Sequence, residues 1–274
     1  MKKRIGLCVA VLLICGVTAL TANAQNLLFL AHYDGNTDHG GKDADFAVGN
    51  DDVFANGGVI SATSKFGAGS VDVSGNSGGG NNMTYDVVGN FNNNTGTADM
   101  WVQTDNWGQQ VDVNGGNLLT IWNSPSWAGG IFMRVVDSKL KFLLSDNFGA
   151  NWWEYESDAL TVDTAWHHVA FDWDFPNGQI GVYFDGTPQP LTQTGAGWPI
   201  DAYNGTWGAP FEIGTMQGGY NAWPGLIDEL RILDGPAYNG QAFTPETEAY
   251  VPEPATLALL SIGGLFARHR FRRR

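Results

Sequence analysis

The chain has 274 residues and a formal net charge of −14, from 28 acidic and 14 basic residues. Eight of the basic residues lie in the first four and the last seven positions, so residues 25–250 carry six basic against 27 acidic residues, a net charge of −21. A surface with this charge repels nucleic acid, anionic lipid and anionic polysaccharide, and it suits Ca²⁺, neutral sugars or simply solubility. Both cysteines, Cys8 and Cys15, lie near the start, so a protein that loses this region has neither disulfides nor a thiolate metal site.

The N-terminal segment has the three parts of a secretory signal peptide, over residues 1–24. Three of its first four residues are basic, residues 5–20 are apolar, and Ala22 and Ala24 supply the small-x-small cleavage pattern. An uncleaved N-terminal anchor is the alternative. The pattern predicts a signal helix that directs export of the rest of the chain.

The segment 25–250 contains short apolar or alternating runs, separated by Gly, Asn, Asp and Pro, and no helical period runs far within it. One such run places Met100 and Val102 on one face of a strand and Trp101 and Gln103 on the other. Many short strands with turn signals and no helices imply an antiparallel sandwich. Strands are predicted at 27–33, 83–88, 98–103, 130–136, 140–144, 166–173, 179–184, 211–214 and 226–233, with tight turns at 137–139 and 185–186.

Several of these runs, in order, resemble a known family. They are residues 28–35 (LFLAHYDG), 66–71 (FGAGSV), 166–170 (WHHVA), 182–186 (VYFDG), 211–214 (FEIG) and 225–232 (GLIDELRI). Together they are similar to a LamG-like, concanavalin A-like jelly roll. The resemblance implies two packed antiparallel sheets and, in many members, binding of glycans or proteins, often with Ca²⁺. It does not imply one function.

The last 24 residues form a second targeting segment, 251–274. Pro252, Glu253 and Pro254 are followed by an apolar run of 13 residues and then an arginine-rich end. Thirteen residues are short for a spanning helix, which needs about 20, and the basic end should stay cytoplasmic. This order of parts resembles the PEP-CTERM sorting signal of Gram-negative bacteria, which implies recognition and processing by an exosortase. A hydrophobic tail with stop-transfer charges is the alternative.

Enzymatic signatures are weak. The H-E-x-x-H zinc motif is missing from the sequence. Laminarinase-type glycosidases share the jelly roll and place paired carboxylates on one strand face as E-x-D-x-x-E; Glu154, Glu156 and Asp158 would share a face but do not meet that pattern. The neighbours His167 and His168 point to opposite faces of a strand, so they cannot hold one metal, and a structural role is favoured. No catalytic residue is predicted.

A calcium site is predicted near the start of the domain. Asp34, Asn36 and Asp38 space three oxygen-bearing side chains by two residues, and Ca²⁺ prefers six to eight oxygen ligands. The family resemblance implies that a structural calcium ties the first and last strands, and Asp228 is the matching acid of the last strand. The alternative is an Asx-turn cluster that caps its own backbone.

Sugar binding requires exposed aromatic rings with polar neighbours, and loops on a rigid sandwich commonly carry binding. Strand patterns predict that Trp101, Trp166 and Trp173 are buried. Five aromatic residues in loop-like sequence are predicted to bind the ligand: Trp127, Trp198, Trp207, Tyr220 and Trp223. The alternative is that these rings seal the edges of the sandwich.

The sequence therefore predicts an all-β, antiparallel two-sheet jelly-roll sandwich, with an N-terminal signal helix and a short C-terminal hydrophobic helix. Its segments are the signal peptide (1–24), the LamG-like domain (25–250) and the sorting tail (251–274). The predicted function is an exported, non-catalytic protein of the cell surface, outer envelope or extracellular matrix of a Gram-negative bacterium. Its predicted partners are a polysaccharide or glycan, an exosortase-type enzyme and, before processing, the inner membrane; nucleic acid is excluded. The alternatives are a purely structural matrix component and a laminarinase-type hydrolase.

Overall fold

Two antiparallel sheets packed face to face make up the part of the chain that the structure, a computed structural model, describes. The described residues are 25–34, 46–48, 59–74, 83–108, 116–122, 129–145, 152–195, 200–202, 210–216 and 221–250. The predicted all-β sandwich is confirmed. The predicted signal helix and C-terminal helix lie outside these residues, and within them no helix is long and apolar enough to cross a membrane.

The larger sheet has nine strands. They are β1 (Leu27–Ala31), β2 (Phe46–Val48), β3 (Val59–Ser61), β4 (Ser70–Asp72), β6 (Thr95–Gln103), β11 (His167–Asp174), β12 (Gln179–Phe184), β13 (Thr187–Pro188) and β16 (Leu226–Leu233). Their order is β13-β12-β11-β6-β16-β1-β2, while β4 pairs with β16 and β3 pairs with β4. The first and last strands of the described chain are thus neighbours at the centre of this sheet.

The smaller sheet has seven strands. They are β5 (Met83–Tyr85), β7 (Gly116–Trp122), β8 (Gly130–Val136), β9 (Lys139–Ser145), β10 (Trp152–Ser157), β14 (Leu191–Gln193) and β15 (Phe211–Ile213). Their order is β14-β10-β9-β8-β7-β15-β5. Two short 3₁₀ turns, Phe175–Asn177 and Ile200–Ala202, complete the regular structure of the described residues.

The core lies between the sheets and follows the alternation of each strand. In β6, Met100 and Val102 are fully buried in the core, whereas Asp99 and Trp101 face the opposite side. Two tight turns confirm the hairpin predictions: Asp137 and Ser138 join β8 to β9, and residues 185–186 join β12 to β13, all with positive φ. Positive φ at both central residues matches the right-handed twist of paired strands.

A β-bulge in β16 places two acidic residues in buried positions. The pairing of β16 with β6 shifts between Asp228 and Arg231, and Glu229 has a φ of 51°. Because the bulge re-aims the strand locally, both Asp228 and Glu229 are at most 1% exposed. Glu229 Oε1 lies 2.8 Å from His32 Nδ1, and its Oε2 accepts a 2.9 Å hydrogen bond from the Tyr250 amide.

Residues 234–250, here called the strap, leave β16 and cross the outer face of the nine-stranded sheet. The strap contains no strand, and aromatic and polar contacts hold it. Tyr238 stacks on Phe243 with a centroid distance of 3.6 Å, and Tyr183 of β12 packs edge-on against both rings. The Phe243 amide donates to the Gly186 carbonyl (2.9 Å). The strap ends at Tyr250, which is buried.

Candidate functional site

Three aromatic side chains form what we call the aromatic ridge on the outer face of the seven-stranded sheet: Trp122, Phe132 and Trp152. The Phe132 ring lies 5.7 Å from the Trp122 ring and 6.3 Å from the Trp152 ring. Their strand neighbours, such as Ile131 and Trp153, point inward to the core, so alternation sends the ridge outward. Trp122 and Trp152 are half-buried, and Phe132 is almost fully buried between them.

Strand register explains why these rings meet. Trp122 pairs with Gly130, Gly130 with Ser145, and Ser145 with Trp152, so two small residues separate the two tryptophans across four strands. A Cβ at Gly130 would lie 3.1 Å from the Phe132 ring and 3.1 Å from the Ile121 carbonyl oxygen. Glycine at this position therefore lets the Phe132 ring lie across the row.

Beside the ridge lies a group of charges that we call the ion-pair ladder: Arg134, Lys139, Lys141, Glu154 and Glu156. Lys139 Nζ donates to Glu156 Oε1 (2.7 Å), and Lys141 Nζ donates to Glu154 Oε1 (2.7 Å) and lies 3.0 Å from Glu156 Oε2. Arg134 lies 3.8 Å from Glu154 Oε2. Three of the six basic residues of the segment 25–250 are gathered here, so this face is locally cationic in a strongly acidic domain.

The ladder alters the acid–base properties of its members. Hydrogen bonds from Lys139 and Lys141 hold the pKa of Glu156 below its usual value. Burial opposes the charge of Lys141, but its bonds to Glu154 and Glu156 outweigh burial and raise its pKa. Burial lowers the pKa of Arg134, whose Nε is buried and has no hydrogen-bond partner among the described residues.

Two glutamates of the ladder are the carboxylates that a glycosidase of this fold could use. A glycosidase needs one carboxyl group whose pKa is raised, so that it can protonate the leaving group. Glu154 and Glu156 share a face as predicted, but both are ion-paired. Asp158 lies beyond the end of β10 and is exposed. Hydrogen bonds from the two lysines hold the pKa of Glu156 below its usual value, so this carboxyl is ionised and can bind polar groups.

The predicted ligand-binding aromatics fall into two groups. Trp127, Trp198, Trp207 and Tyr220 lie outside the described residues. Trp223 is 1% exposed: its Nε1 donates to the Leu226 carbonyl (3.3 Å), and its ring packs edge-on against Trp107 at 5.3 Å. The prediction that Trp223 offers its face to a sugar is wrong, because the ring closes one end of the core.

Of the three tryptophans predicted to be buried, two are buried and one is not. Trp101 and Trp173 are buried, as predicted. Trp166 is only half-buried, because β11 begins one residue later, at His167, and strand alternation does not hold its ring against the core.

Two of the predicted calcium ligands are described, and both hold the same turn. Asp34 Oδ1 accepts from the amides of Ala68 and Gly69, and Asp228 Oδ2 accepts from those of Lys65 (2.7 Å) and Phe66 (3.2 Å). Burial raises the pKa of Asp228 to about 7.

These carboxylates thus tie the first and last strands through one turn, with backbone N–H groups where a cation would need oxygens. Asn36 and Asp38 lie outside the described residues. Among the residues that the structure covers, no cluster of three His, Cys, Asp or Glu could hold a metal ion. The calcium site at Asp34, Asn36, Asp38 and Asp228 stays a prediction.

The histidine pair is structural in its contacts, as predicted. His167 Nδ1 lies 2.7 Å from Asp185 Oδ2, and its ring stacks on Phe184. His168 points to the other face, where its Nε2 lies 3.0 Å from the Tyr250 hydroxyl. Burial lowers the pKa of His168 to about 4, so its imidazole is neutral at ordinary pH.

A buried polar network attaches the strap to the sheet. Asp99 is completely buried and accepts from Arg231 Nη2 (2.8 Å), the Tyr238 hydroxyl (2.8 Å) and the Tyr250 hydroxyl (2.9 Å). Burial opposes the charge of Asp99, but Arg231 and His168 outweigh burial and lower its pKa. Because Asp99 at its centre is fully buried, this network serves to stabilise the fold.

Comparisons with known proteins agree with this architecture. A family model described as the concanavalin A-like lectin/glucanases superfamily matches residues 76–239, and a model of the PEP-CTERM protein-sorting motif matches residues 251–274. A search of curated proteins finds no match.

Among solved structures, the binding domain of Paraclostridial Mosquitocidal Protein 1 aligns at 15% identity and a TM-score of 0.54, over 77% of this chain and 49% of that one. The receptor-binding domain of botulinum neurotoxin type G aligns at 12% identity and a TM-score of 0.50, over 79% and 50%. This chain thus spans about half the length of those two domains. The CBM40 of the Ruminococcus gnavus IT-sialidase aligns at 16% identity and a TM-score of 0.44, over 56% and 86%. At these identities the likeness shows the fold alone.

Proposed function

The chain belongs to the concanavalin A-like lectin/glucanase superfamily and carries a PEP-CTERM sorting motif, and from that premise we propose that it is an exported, non-catalytic protein that binds glycan. The observation that carries this proposal is the aromatic ridge beside the ion-pair ladder, on one outer face of the sandwich. Ligand sites combine apolar and aromatic surface with a few placed polar groups, and this face has both.

Each part of the face has a task in the proposed binding. The half-buried rings of Trp122 and Trp152 offer apolar surface against which the C–H face of a pyranose can stack. Arg134, Lys141 and Glu154 supply hydrogen-bond donors and acceptors for hydroxyl groups. Because the ion pairs already hold these side chains in place, little conformational entropy is lost when a sugar binds. The predicted ligand residues Trp127, Trp198, Trp207 and Tyr220 would extend the site if they line it.

The two ends determine where this binding takes place. The PEP-CTERM motif implies an exported protein that an exosortase processes. The proposed route begins with signal cleavage after Ala24 and a transient stay at the inner membrane through the apolar tail. Recognition at Pro252, Glu253 and Pro254 then leads to release to the cell surface, outer envelope or extracellular matrix of a Gram-negative bacterium.

The test uses the protein as its host exports it. Trp152→Ala should weaken binding to the host polysaccharide about tenfold, as expected from losing one aromatic contact of about 1.5 kcal/mol. Trp152→Phe, the matched control, should keep most of the affinity because it keeps a ring. Affinity electrophoresis measures both, and circular dichroism checks the fold. Equal affinity of the Ala variant and the unaltered protein would refute the ridge as the site, and a purely structural protein would bind no polysaccharide at all.

A further inference from the structure

A cleft of about 420 Å³ lies on the other side of the sandwich, on the outer face of the nine-stranded sheet where the strap ends. We call it the strap cleft. Its volume is in the range of small-molecule sites, about 300–1,000 Å³. The side chains that bear on its chemistry are Lys65, Phe66, Trp101, Trp166, Asp185 and Glu246.

Aromatic rings form one wall of the strap cleft. Phe66 packs edge-on against Trp101, with ring centroids 5.8 Å apart and an interplanar angle of 88°. Trp101 is 7% exposed, whereas Phe66 and Trp166 are half-buried. Phe66 and Trp166 therefore keep part of their apolar surface in water, and contact with a ligand would remove that surface from water at a gain in free energy.

Two charged groups in the strap cleft are available to a ligand. The Lys65 ammonium lies 3.8 Å from the centre of a Trp101 ring. It has no ion pair in the described part of the chain, where each of the other basic residues has one. Glu246 is exposed on the strap and has no hydrogen bond to a described residue.

The third charged group, Asp185, is occupied, because its two oxygens contact His167 Nδ1 (2.7 Å) and the His168 amide (2.9 Å). The strap cleft thus offers an aromatic wall, one donor and one acceptor. Lys65 against Asp185 and Glu246 gives it a net charge of −1.

We propose that the strap cleft is a second sugar-binding site and that it takes a neutral pyranose. The Lys65 ammonium already covers Trp101, which is 7% exposed, so the sugar ring would stack on Phe66 and Trp166. Lys65 would donate to one hydroxyl oxygen, and Glu246 would accept from another hydroxyl. The negative charge of the cleft and of the whole domain opposes a uronate or another anionic sugar. The ligand class rests on the proposed function, but the residues are separate from the aromatic ridge.

Two sites on the outer faces of opposite sheets point away from each other, since the sheets pack face to face. One domain could then hold two polysaccharide strands at once and cross-link them. Binding of a polymer to several such domains is strengthened by its high effective concentration.

Calorimetry with two neutral probes, laminarihexaose and cellohexaose, tests the strap cleft on the exported protein. For one of these probes we expect a stoichiometry of two bound molecules per chain with the unaltered protein. Trp166→Ala and Trp152→Ala should each reduce that stoichiometry to one. Glu246→Gln, an exposed change that leaves the fold intact, should weaken only the second site, by about three- to tenfold. Near-UV circular dichroism confirms that the Trp166 variant folds.

The outcomes separate the two sites. Two molecules per chain after Trp166→Ala, or binding that Trp152→Ala abolishes completely, would overturn the strap cleft. Loss of one site with Trp166→Ala and none with Trp152→Ala would support the strap cleft and refute the ridge. The assignment of a neutral sugar would be overturned if the protein bound an alginate hexamer and neither neutral probe, or if it bound no probe at all.

Discussion

Replacing Arg231 by methionine should destabilise the domain far more than breaking an ion pair at its surface. Arg231 approaches Asp99 through Nε (3.2 Å to each oxygen) and Nη2 (2.8 Å), and Asp99 is fully buried. In Arg231→Met the carboxylate keeps, among the described residues, only the Tyr238 and Tyr250 hydroxyls as close donors. An uncompensated buried charge costs about 3–5 kcal/mol, which is a large part of the 5–15 kcal/mol of stability that is typical of a domain.

Urea unfolding followed by tryptophan fluorescence measures this change, and the chain offers a matched control. Lys139→Met breaks the Lys139–Glu156 pair, which has a contact of 2.7 Å but lies at the surface, with 34% and 18% exposure. That variant should lose about 1 kcal/mol or less. Adding Asp99→Asn to Arg231→Met should recover part of the loss, because no buried charge remains. Equal losses for Arg231→Met and Lys139→Met would show that the buried network does not hold the strap.

Three further changes test other parts of the structure. Because burial lowers the pKa of His168 to about 4, from about 6.5 in an unfolded chain, only the unfolded state takes up this proton between pH 6.5 and 4. The unaltered protein should therefore lose about 3 kcal/mol more than His168→Gln over that range, and parallel pH profiles in urea titrations would contradict this. Gly214→Ala should cost more than Gly89→Ala in the same assay; both have positive φ (81° and 86°), but a Cβ at Gly214 would lie 2.4 Å from Val73 Cβ, whereas Gly89 faces open space. If calcium binds at Asp34, EDTA should lower the melting temperature and added Ca²⁺ should restore it, whereas an unchanged value would refute the metal site.

The sequence predicted the sheets well wherever alternation is strict. In β6, Met100 and Val102 face the core while Trp101 between them faces outward, as the alternation of the sequence predicts. The Asp-Gly pair at 185–186 predicts a tight turn because both residue types tolerate positive φ. The structure confirms positive φ at both positions. By contrast, β7 was missed: six of its seven residues are buried, and a strand buried on both faces has no polar alternation to detect.

The aromatic ridge could not be found from the sequence. Trp122, Phe132 and Trp152 are ten and twenty residues apart, and only the registers of β7 to β10 bring them together. The prediction that Trp223 is exposed failed for a related reason. Its Pro and Gly neighbours indicate a loop, but the local sequence does not show whether a loop residue points its ring into the core. The strap carried no strand signal because side-chain bonds to the sheet hold it, and among these partners Asp99 and Asp172 lie more than 50 residues away.

The position of the strap joins the stability of the domain to its sorting. Its last contacts are made by Tyr250, whose hydroxyl reaches Asp99 and whose amide reaches Glu229. The sorting motif begins immediately afterwards, at residue 251. Proteolysis within the motif would therefore remove no residue that the buried network uses. Since Glu246 lies on the strap, four residues before Tyr250, the same buried contacts that fix the end of the domain also fix one wall of the strap cleft. Processing of the tail should thus leave both proposed sugar sites in place.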